Sequence, residues 1–466
     1  MSDGKIETIN PATGKVISTY DNMSNDQIRG IVENARLAQR KWKGLDISER
    51  SAYVRSLGRI MRKNKEEYAR LITEEMGKPI RQAIAEIEKC AWLCDYYSEH
   101  SESFLHEELI PTEFRKSFVS FEPLGVVAGI MPWNFPFWQA MRFAVPALVA
   151  GNVEILKHSS VCLGSAIKLE EAFADAGFPE CVFQSVIGDS RVGEALVLSK
   201  IDAVSVTGSV NTGKRVAELA SRDLKKFVLE LGGSDPFIVL DDADLNQTAH
   251  MATQSRLLNT GQSCIAAKRF IVLKEISDKF TDLFVESTEA EVLGDPMDPK
   301  TTVGPLVRES QRQALAKQVE DAKTKQASIL TGGKEVNNGG GYFFEPTIVK
   351  DVTHDMSIIK EEVFGPAAPI IIVNNEQEAL AEANNSEFGL GASIWTNNIE
   401  RGTQLARQIQ SGIVSINEMV KSDPRMPFGG IKKSGIGREL SEFGIKEFVN
   451  IKSIVVKDIA SKVLVE

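Results

Sequence analysis

Cys264 closes the stretch Asn259-Thr260-Gly261-Gln262-Ser263-Cys264, a polar, glycine-containing turn just past a predicted helix. A cysteine in a core is a small packing residue. In such a turn, by contrast, a thiol can be exposed and meet a ligand without steric obstruction. With a free pKa near ~8.5 it is only about 10% thiolate around pH 7.5, so nucleophilic work needs a nearby base or local dipoles. Glu230, in Leu229-Glu230-Leu231-Gly232-Gly233, ends a strand-like run and is flanked by Val228, Leu229 and Leu231. Burial raises a carboxyl pKa and makes a better general base near neutrality. A salt-bridged structural glutamate is the alternative reading.

Three further features suit ligand chemistry at the ends of parallel strands. Asn134, in Met131-Pro132-Trp133-Asn134-Phe135-Pro136, could donate its amide to a developing oxyanion or cap a helix. Lys157 ends the next predicted strand, where it suits a cofactor hydroxyl or phosphate, or is simply solvated. Thr207-Gly208-Ser209 follows a strand, with Gly213 five residues after Gly208 where a helix begins. Bare amides and a helix N-terminus can hold a phosphate there, although the pattern is not GxGxxG.

The elements that must position these groups are legible in the hydrophobic pattern. Residues 25–105 carry helical periodicity, as in Ile28, Val32 and Ala35, and in Ile80, Ala83, Ile84 and Ile87. Residues 115–123 suggest a strand. Strands at 124–130, 152–157, 181–187 and 203–207 then alternate with helices ending near 150, at 163–176, near 191–199 and from about 211. A second series places strands at 236–240, 269–273, 366–373, 391–396 and 412–417, with helices at 244–259, 276–290 and 308–326. The fold class is α/β, with two doubly wound parallel-sheet domains and a small bridging β element. The run 447–456 reads as a strand without a hairpin partner and is a candidate for pairing with another subunit.

Composition excludes several classes. The chain has 466 residues, 42% hydrophobic and 25% charged, with a net charge of −10 and no basic stripe, so nucleic acid is not an expected partner. Five scattered cysteines fit free thiols in a reducing compartment. Cys90 and Cys94 share a helix face but have no third ligand at metal spacing, and no metal is expected. The stretch 124–156 is broken by prolines and Arg142 and is not a membrane span. MSDGKIETINPATGKVIS lacks a basic segment followed by an apolar one, so no secretory signal is expected and the protein is placed in the cytoplasm.

The stretches INPATGKVI, PWNFP, LKHSS, VTGSVNTGKRV, LELGGSDP, NTGQSC, EEVFGP and PFGGIKKSGIGRE together resemble the aldehyde dehydrogenase superfamily across essentially the whole chain, in family order. The resemblance implies a cofactor domain at 1–104 and 124–231, a catalytic domain at 232–445, and an oligomerisation element at 105–123 and 446–466 that builds homodimers or homotetramers. It implies NAD(P)-dependent oxidation of an aldehyde, with Cys264 as nucleophile, Glu230 as general base and Asn134 with the Cys264 amide as oxyanion hole. Lys157 matches the adenosine-ribose contact, Ser209 a pyrophosphate contact, and Glu362 with Phe364 the nicotinamide-ribose pocket. Trp133, Ser160, Gly188, Thr207, Gly208, Leu231 and Gly232 complete the implied cofactor site.

Two departures from the family pattern carry information. NAD-preferring relatives often have Glu three residues after the lysine, and here that position is Ser160. A carboxylate about 6 Å from a 2′-phosphate would cost on the order of 1–3 kcal/mol, so its absence admits NADP, the preferred cofactor in this reading. Arg142, eight residues after Asn134, occupies a tunnel position where succinate-semialdehyde dehydrogenases often carry Arg. Their second arginine, six residues before the nucleophile, is Leu258 here, and Arg425 is the expected substitute. The substrate is then a short polar aldehyde, succinate semialdehyde or glyceraldehyde. A CoA-acylating relative is disfavoured because thiolysis needs no water-activating Glu230. A catalytically dead homologue is disfavoured by the joint presence of Cys264, Glu230 and Asn134.

Overall fold

In the computed structural model, residues 5–337 and 339–458 are described. A hairpin, Lys5–Asn10 with Lys15–Asp21, precedes four helices, Asn25–Trp42, Ile47–Lys63, Lys65–Met76 and Ile80–Phe104. Ser24 starts the first of these with a capping box: its hydroxyl accepts from the Gln27 amide while the Gln27 side chain accepts from the Ser24 amide. Ile28, Val32, Ala35 and Trp42 then fall on one buried face, as the periodicity predicts.

The first sheet has six strands in the order Gly435–Ile436, Lys226–Glu230, Ala203–Thr207, Val126–Met131, Val153–His158, Phe183–Ser185. All neighbours are parallel except Gly435–Ile436, which runs antiparallel to Lys226–Glu230. The expected 232–445 unit is therefore not closed, because residues 435–436 return to the sheet of the preceding unit. That return places Gly429 and Glu439 beside the strand end that carries Glu230.

The Pro136–Val149 helix connects Val126–Met131 to Val153–His158, and every one of its residues is buried. A helix apolar on all sides belongs inside a core, and a charged residue within it must find its partner there. The Ile80–Phe104 helix packs against it.

The second sheet runs Ser328–Thr331, Thr347–Lys350, Ala367–Val373, Ala267–Leu273, Asp235–Val239, Gly391–Trp395, Ile413–Ile416, parallel except for its first pair. Three of its interior strands, Asp235–Val239, Ala267–Leu273 and Gly391–Trp395, are buried along their whole length and mostly apolar, as a sheet covered on both faces requires. The third sheet resolves the unpartnered C-terminal strand: Val449–Val456 pairs antiparallel with Lys116–Pro123 through eight residues, and Glu108–Leu109 lies on the far side. One edge of Val449–Val456 stays open. Residues 459–466 of the expected oligomerisation element lie outside the described residues.

Candidate active site

The C-terminal ends of the first sheet converge with the nucleophile turn on a cavity of about 780 Å³. Trp133, Asn134, Lys157, Ser160, Thr207, Gly208, Ser209, Glu230, Leu231, Gly232, Cys264, Glu362 and Phe364 all line it. Four separate strand ends and two segments of the second domain thus bring the motif residues together. Gly188 is the exception among the expected cofactor contacts. It lies off the cavity wall, where a Cβ would come 2.2 Å from Val192 Cγ2.

The turn that carries Cys264 is under backbone strain. Asn259 and Thr260 adopt φ of +53° and +57°, followed by Gly261 at +74°. Left-handed non-glycine residues cost on the order of 1–3 kcal/mol each and persist only where the surroundings hold them. Asn259 Nδ2 donates to the carbonyls of Asn134 (2.8 Å) and Gln262 (3.1 Å). The Gly304 amide donates to Thr260 Oγ1 at 2.9 Å. The buried Arg256 guanidinium ties the carbonyls of Gly261 and Gly365, each at 2.8 Å. Lys268 Nζ, also buried, donates to the carbonyls of Ser263 (3.0 Å) and Cys264 (2.6 Å). A side chain at Gly261 would meet the Gly365 carbonyl at 2.3 Å, so only glycine fits.

Asn134 is 4% exposed and donates through Nδ2 to the Gln262 carbonyl at 3.1 Å. Its amide keeps a second N–H, and its Oδ1 has no hydrogen-bond partner among the described residues. This geometry ties Asn134 to the nucleophile turn from both sides. The oxyanion reading gains over the helix-cap reading, since the Pro136–Val149 helix has no side-chain cap.

Glu230 is 2% exposed, and neither carboxyl oxygen has a hydrogen-bond partner among the described residues. Burial, and then the neighbouring Glu439, push its pKa well above the carboxylate range, against Arg142 and Arg438. The structural reading of a salt-bridged glutamate does not hold. Gly429, at φ +148°, passes so close that a Cβ would lie 2.6 Å from Glu230 Oε1. Burial also pushes the Cys264 thiol up to about 11, although the charges of Arg142 and Lys268 pull it down. The Cys264 thiol is therefore protonated near neutral pH.

Arg142 and Arg425, the expected tail-binding pair, are placed differently. Arg142 is 1% exposed, pairs with the equally buried Glu439, and lies 4.3 Å from the centroid of the Phe428 ring. It lies behind the cavity rather than on its wall. An apolar helix leaves its one guanidinium no solvent, and Glu439 is the carboxylate within reach. Arg425 is exposed and forked onto Asp423, with Nε to Oδ1 at 2.9 Å and Nη2 to Oδ2 at 2.7 Å. Each arginine is neutralised by its own carboxylate.

Sequence reading missed Gln139, which lines the cavity at 1% exposure with its Oε1 unpartnered among the described residues. It also missed the internal straps Arg256 and Lys268. A polar residue a few positions outside a motif gives no local signal of its direction.

The residues at the nucleotide end fit an anionic dinucleotide. Lys157 is 6% exposed and has no hydrogen bond or ion pair among the described residues, and burial lowers its pKa to about 8. Ser209 caps the Val210–Ser221 helix, accepting from the Thr212 amide at 3.2 Å, beside the open face of Gly208. That helix N-terminus favours a pyrophosphate. Phe364 and Trp133 meet edge to face at 5.7 Å, and Glu362 accepts from the Gly233 amide at 3.1 Å. No acidic side chain stands at position 160.

The aldehyde dehydrogenase family model matches residues 1–454. The chain belongs to the aldehyde dehydrogenase family. It is 44% identical over 450 residues to a probable succinate-semialdehyde dehydrogenase [NADP(+)] of Synechocystis sp., covering 96% of this chain and 99% of that one. It is 44% identical to the succinate semialdehyde dehydrogenase [NAD(P)+] of Escherichia coli strain K12, covering 96% of this chain and 97% of the relative. Among solved structures, succinic semialdehyde dehydrogenase from Streptococcus pyogenes in complex with NADP+ superposes with a TM-score of 0.94 at 37% identity, over 97% of this chain and 100% of that one. Family membership and the two parallel-sheet domains accord with the motif reading. No helix among the described residues is long and apolar enough to cross a membrane, and no cluster of three or more His, Cys, Asp or Glu there could hold a metal.

Proposed function

We propose that the chain oxidises succinate semialdehyde to succinate with NADP. The observation that carries the reading is the meeting of Cys264, Asn134 and Glu230 in one cavity that continues to Lys157 and Ser160. The names of the similar proteins favour succinate semialdehyde over glyceraldehyde.

The mechanism follows from those side chains. The Cys264 thiolate adds to the aldehyde carbon, forming a carbon–sulfur bond, while the free N–H of Asn134 meets the new oxyanion. A bound nicotinamide supplies the hydride acceptor by which this adduct becomes a thioester. Glu230, once ionised, takes a proton from water as the water attacks the thioester carbon. The carbon–sulfur bond then breaks and the acid leaves. Lys157, Ser160, Ser209, Glu362, Phe364 and Trp133 would hold the nucleotide. The unit before residue 232 would serve the cofactor, and the unit after it would supply the nucleophile. Five free cysteines support a reducing, cytoplasmic setting.

Homo-oligomerisation through the open edge of Val449–Val456 accompanies this reading. Ile451, Val455 and Val456 are exposed there, and edge strands with apolar side chains need covering. Native mass measurement tests it.

The activity test is a screen of purified enzyme with succinate semialdehyde, glyceraldehyde and butanal against both nucleotides. Succinate semialdehyde with NADP should give the largest kcat/KM. Equal rates on all three aldehydes would overturn the substrate, and no turnover on any would overturn the reaction.

A further inference from the structure

We propose that Lys89, on the Ile80–Phe104 helix and held by Ser422, is the cation that receives the anionic end of the substrate. The inference rests on the anionic-aldehyde reading above. It names the residue that the two arginines, each committed to its own carboxylate, leave unassigned.

Lys89 is half-buried where the Ile80–Phe104 helix, the Pro136–Val149 helix and the segment around Ser422 meet. Its Nζ donates to Ser422 Oγ at 2.7 Å and stands 4.3 Å from the centroid of the Trp138 ring. It has no carboxylate partner among the described residues. The two nearest in charge are already spent. Glu86 pairs with Lys78 through Oε2 and accepts the amides of Phe137 (2.9 Å) and Trp138 (3.0 Å) on Oε1. Asp423 is forked by Arg425. An ammonium left with one neutral hydroxyl and a ring face is a poorly compensated charge, and an added carboxylate is the group it lacks.

Lys89 is joined to the catalytic cavity through the Pro136–Val149 helix. Trp138 and Gln139 are consecutive on the Pro136–Val149 helix. The first faces Lys89 and the second lines the cavity with Cys264. The charge of Arg142, one turn further on, is felt by Lys89 and by Cys264 alike. Burial and Arg142 lower the Lys89 pKa to about 8, while Cys90, Asp423 and Glu86 oppose the shift. The ammonium form, and with it tail binding, should fade as pH rises through that range.

The test compares succinate semialdehyde with butanal, an uncharged aldehyde of the same length, at saturating NADP. Lys89→Gln should lower the ratio of kcat/KM for succinate semialdehyde over butanal by ten- to a hundredfold, mostly through KM, and Lys89→Arg should keep most of it. In the unmodified enzyme, KM for succinate semialdehyde should rise above pH 8 while KM for butanal does not, a readout independent of any variant. An unchanged ratio in Lys89→Gln, with the unmodified enzyme still preferring the anionic aldehyde, overturns Lys89 alone. An unmodified enzyme with no such preference overturns the substrate reading as well.

Discussion

Arg142 and Glu439 form an ion pair in which neither side chain keeps more than 2% of its surface exposed. Glu439 also accepts from Ser205 at 3.1 Å and exchanges backbone hydrogen bonds of 2.7 Å with Phe428. The pair therefore staples the segment that carries Gly429 to the floor of the catalytic cavity. Breaking a buried pair from one side leaves an uncompensated charge, at about 3–5 kcal/mol. Arg142→Ala should lower the denaturation midpoint accordingly and reduce kcat/KM for charged and uncharged aldehydes alike. Adding Glu439→Gln should restore part of the stability. A loss confined to anionic aldehydes would instead mean that the guanidinium leaves Glu439 to meet the substrate.

The raised thiol of Cys264 has a clear pH signature. With its pKa at about 11, the thiolate fraction grows roughly tenfold per unit between pH 7 and 10. Alkylation of the nucleotide-free enzyme by iodoacetamide, followed by loss of activity, should accelerate in that proportion. Cys90 and Cys162 are fully buried, with thiols pushed well up by burial, and should not compete. A plateau below pH 8 would show that something in the site stabilises the thiolate already. Cys264→Ala should abolish turnover and leave nucleotide binding intact.

The parallel alternation and the strand-end motifs were legible because period-2 and period-3.6 patterns and turn residues are local properties. The short strand Gly435–Ile436 was not, since two residues carry no periodicity and their partner is about two hundred positions earlier. Cys264, Glu230 and Asn134 could be chosen because each stands at a strand end or turn with a distinctive neighbourhood. The direction of Arg142 could not be chosen in the same way. Helical spacing gives the face of a residue, but a fully buried helix has no outward face to assign. Only the return of residues 428–439 brings Glu439 to Arg142, and that contact is tertiary. The same holds for Arg256 and Lys268, whose targets are backbone carbonyls with no sequence signature.

Glu230 has two unpartnered oxygens and a pKa raised chiefly by burial, so it is a strong base once ionised. If its task is deacylation, Glu230→Gln should leave a first burst of reduced nucleotide and slow steady turnover by about a hundredfold or more. Rapid-quench or stopped-flow absorbance separates the phases. Loss of the burst itself, with Cys264 still alkylated at the normal rate, would move Glu230 to the acylation step. Glu230→Gln breaks no side-chain hydrogen bond among the described residues, so it should also cost little stability, which thermal melting checks.

At the nucleotide end, Lys157 and Ser160 set the last expectation. Lys157 has a pKa lowered to about 8 by burial and no ion partner among the described residues, so below that pH the groove holds an unpaired ammonium there. A phosphate monoester is largely dianionic above its second pKa near ~6. Attraction for a 2′-phosphate is therefore greatest between those two values and falls as pH rises through 8. Because kcat/KM reports the free enzyme, kcat/KM for NADP should decline above pH 8 more steeply than kcat/KM for NAD. Ser160→Glu places a carboxylate beside the same phosphate, at a cost on the order of 1–3 kcal/mol. It should lower the NADP-to-NAD ratio by about ten- to a hundredfold, with the NAD value rising or unchanged. Measuring both nucleotides in both proteins at pH 7 and pH 9 separates the lysine from the serine. A ratio in the unmodified enzyme that already favours NAD, or one insensitive to both substitution and pH, would place the 2′-phosphate outside the reach of this pair.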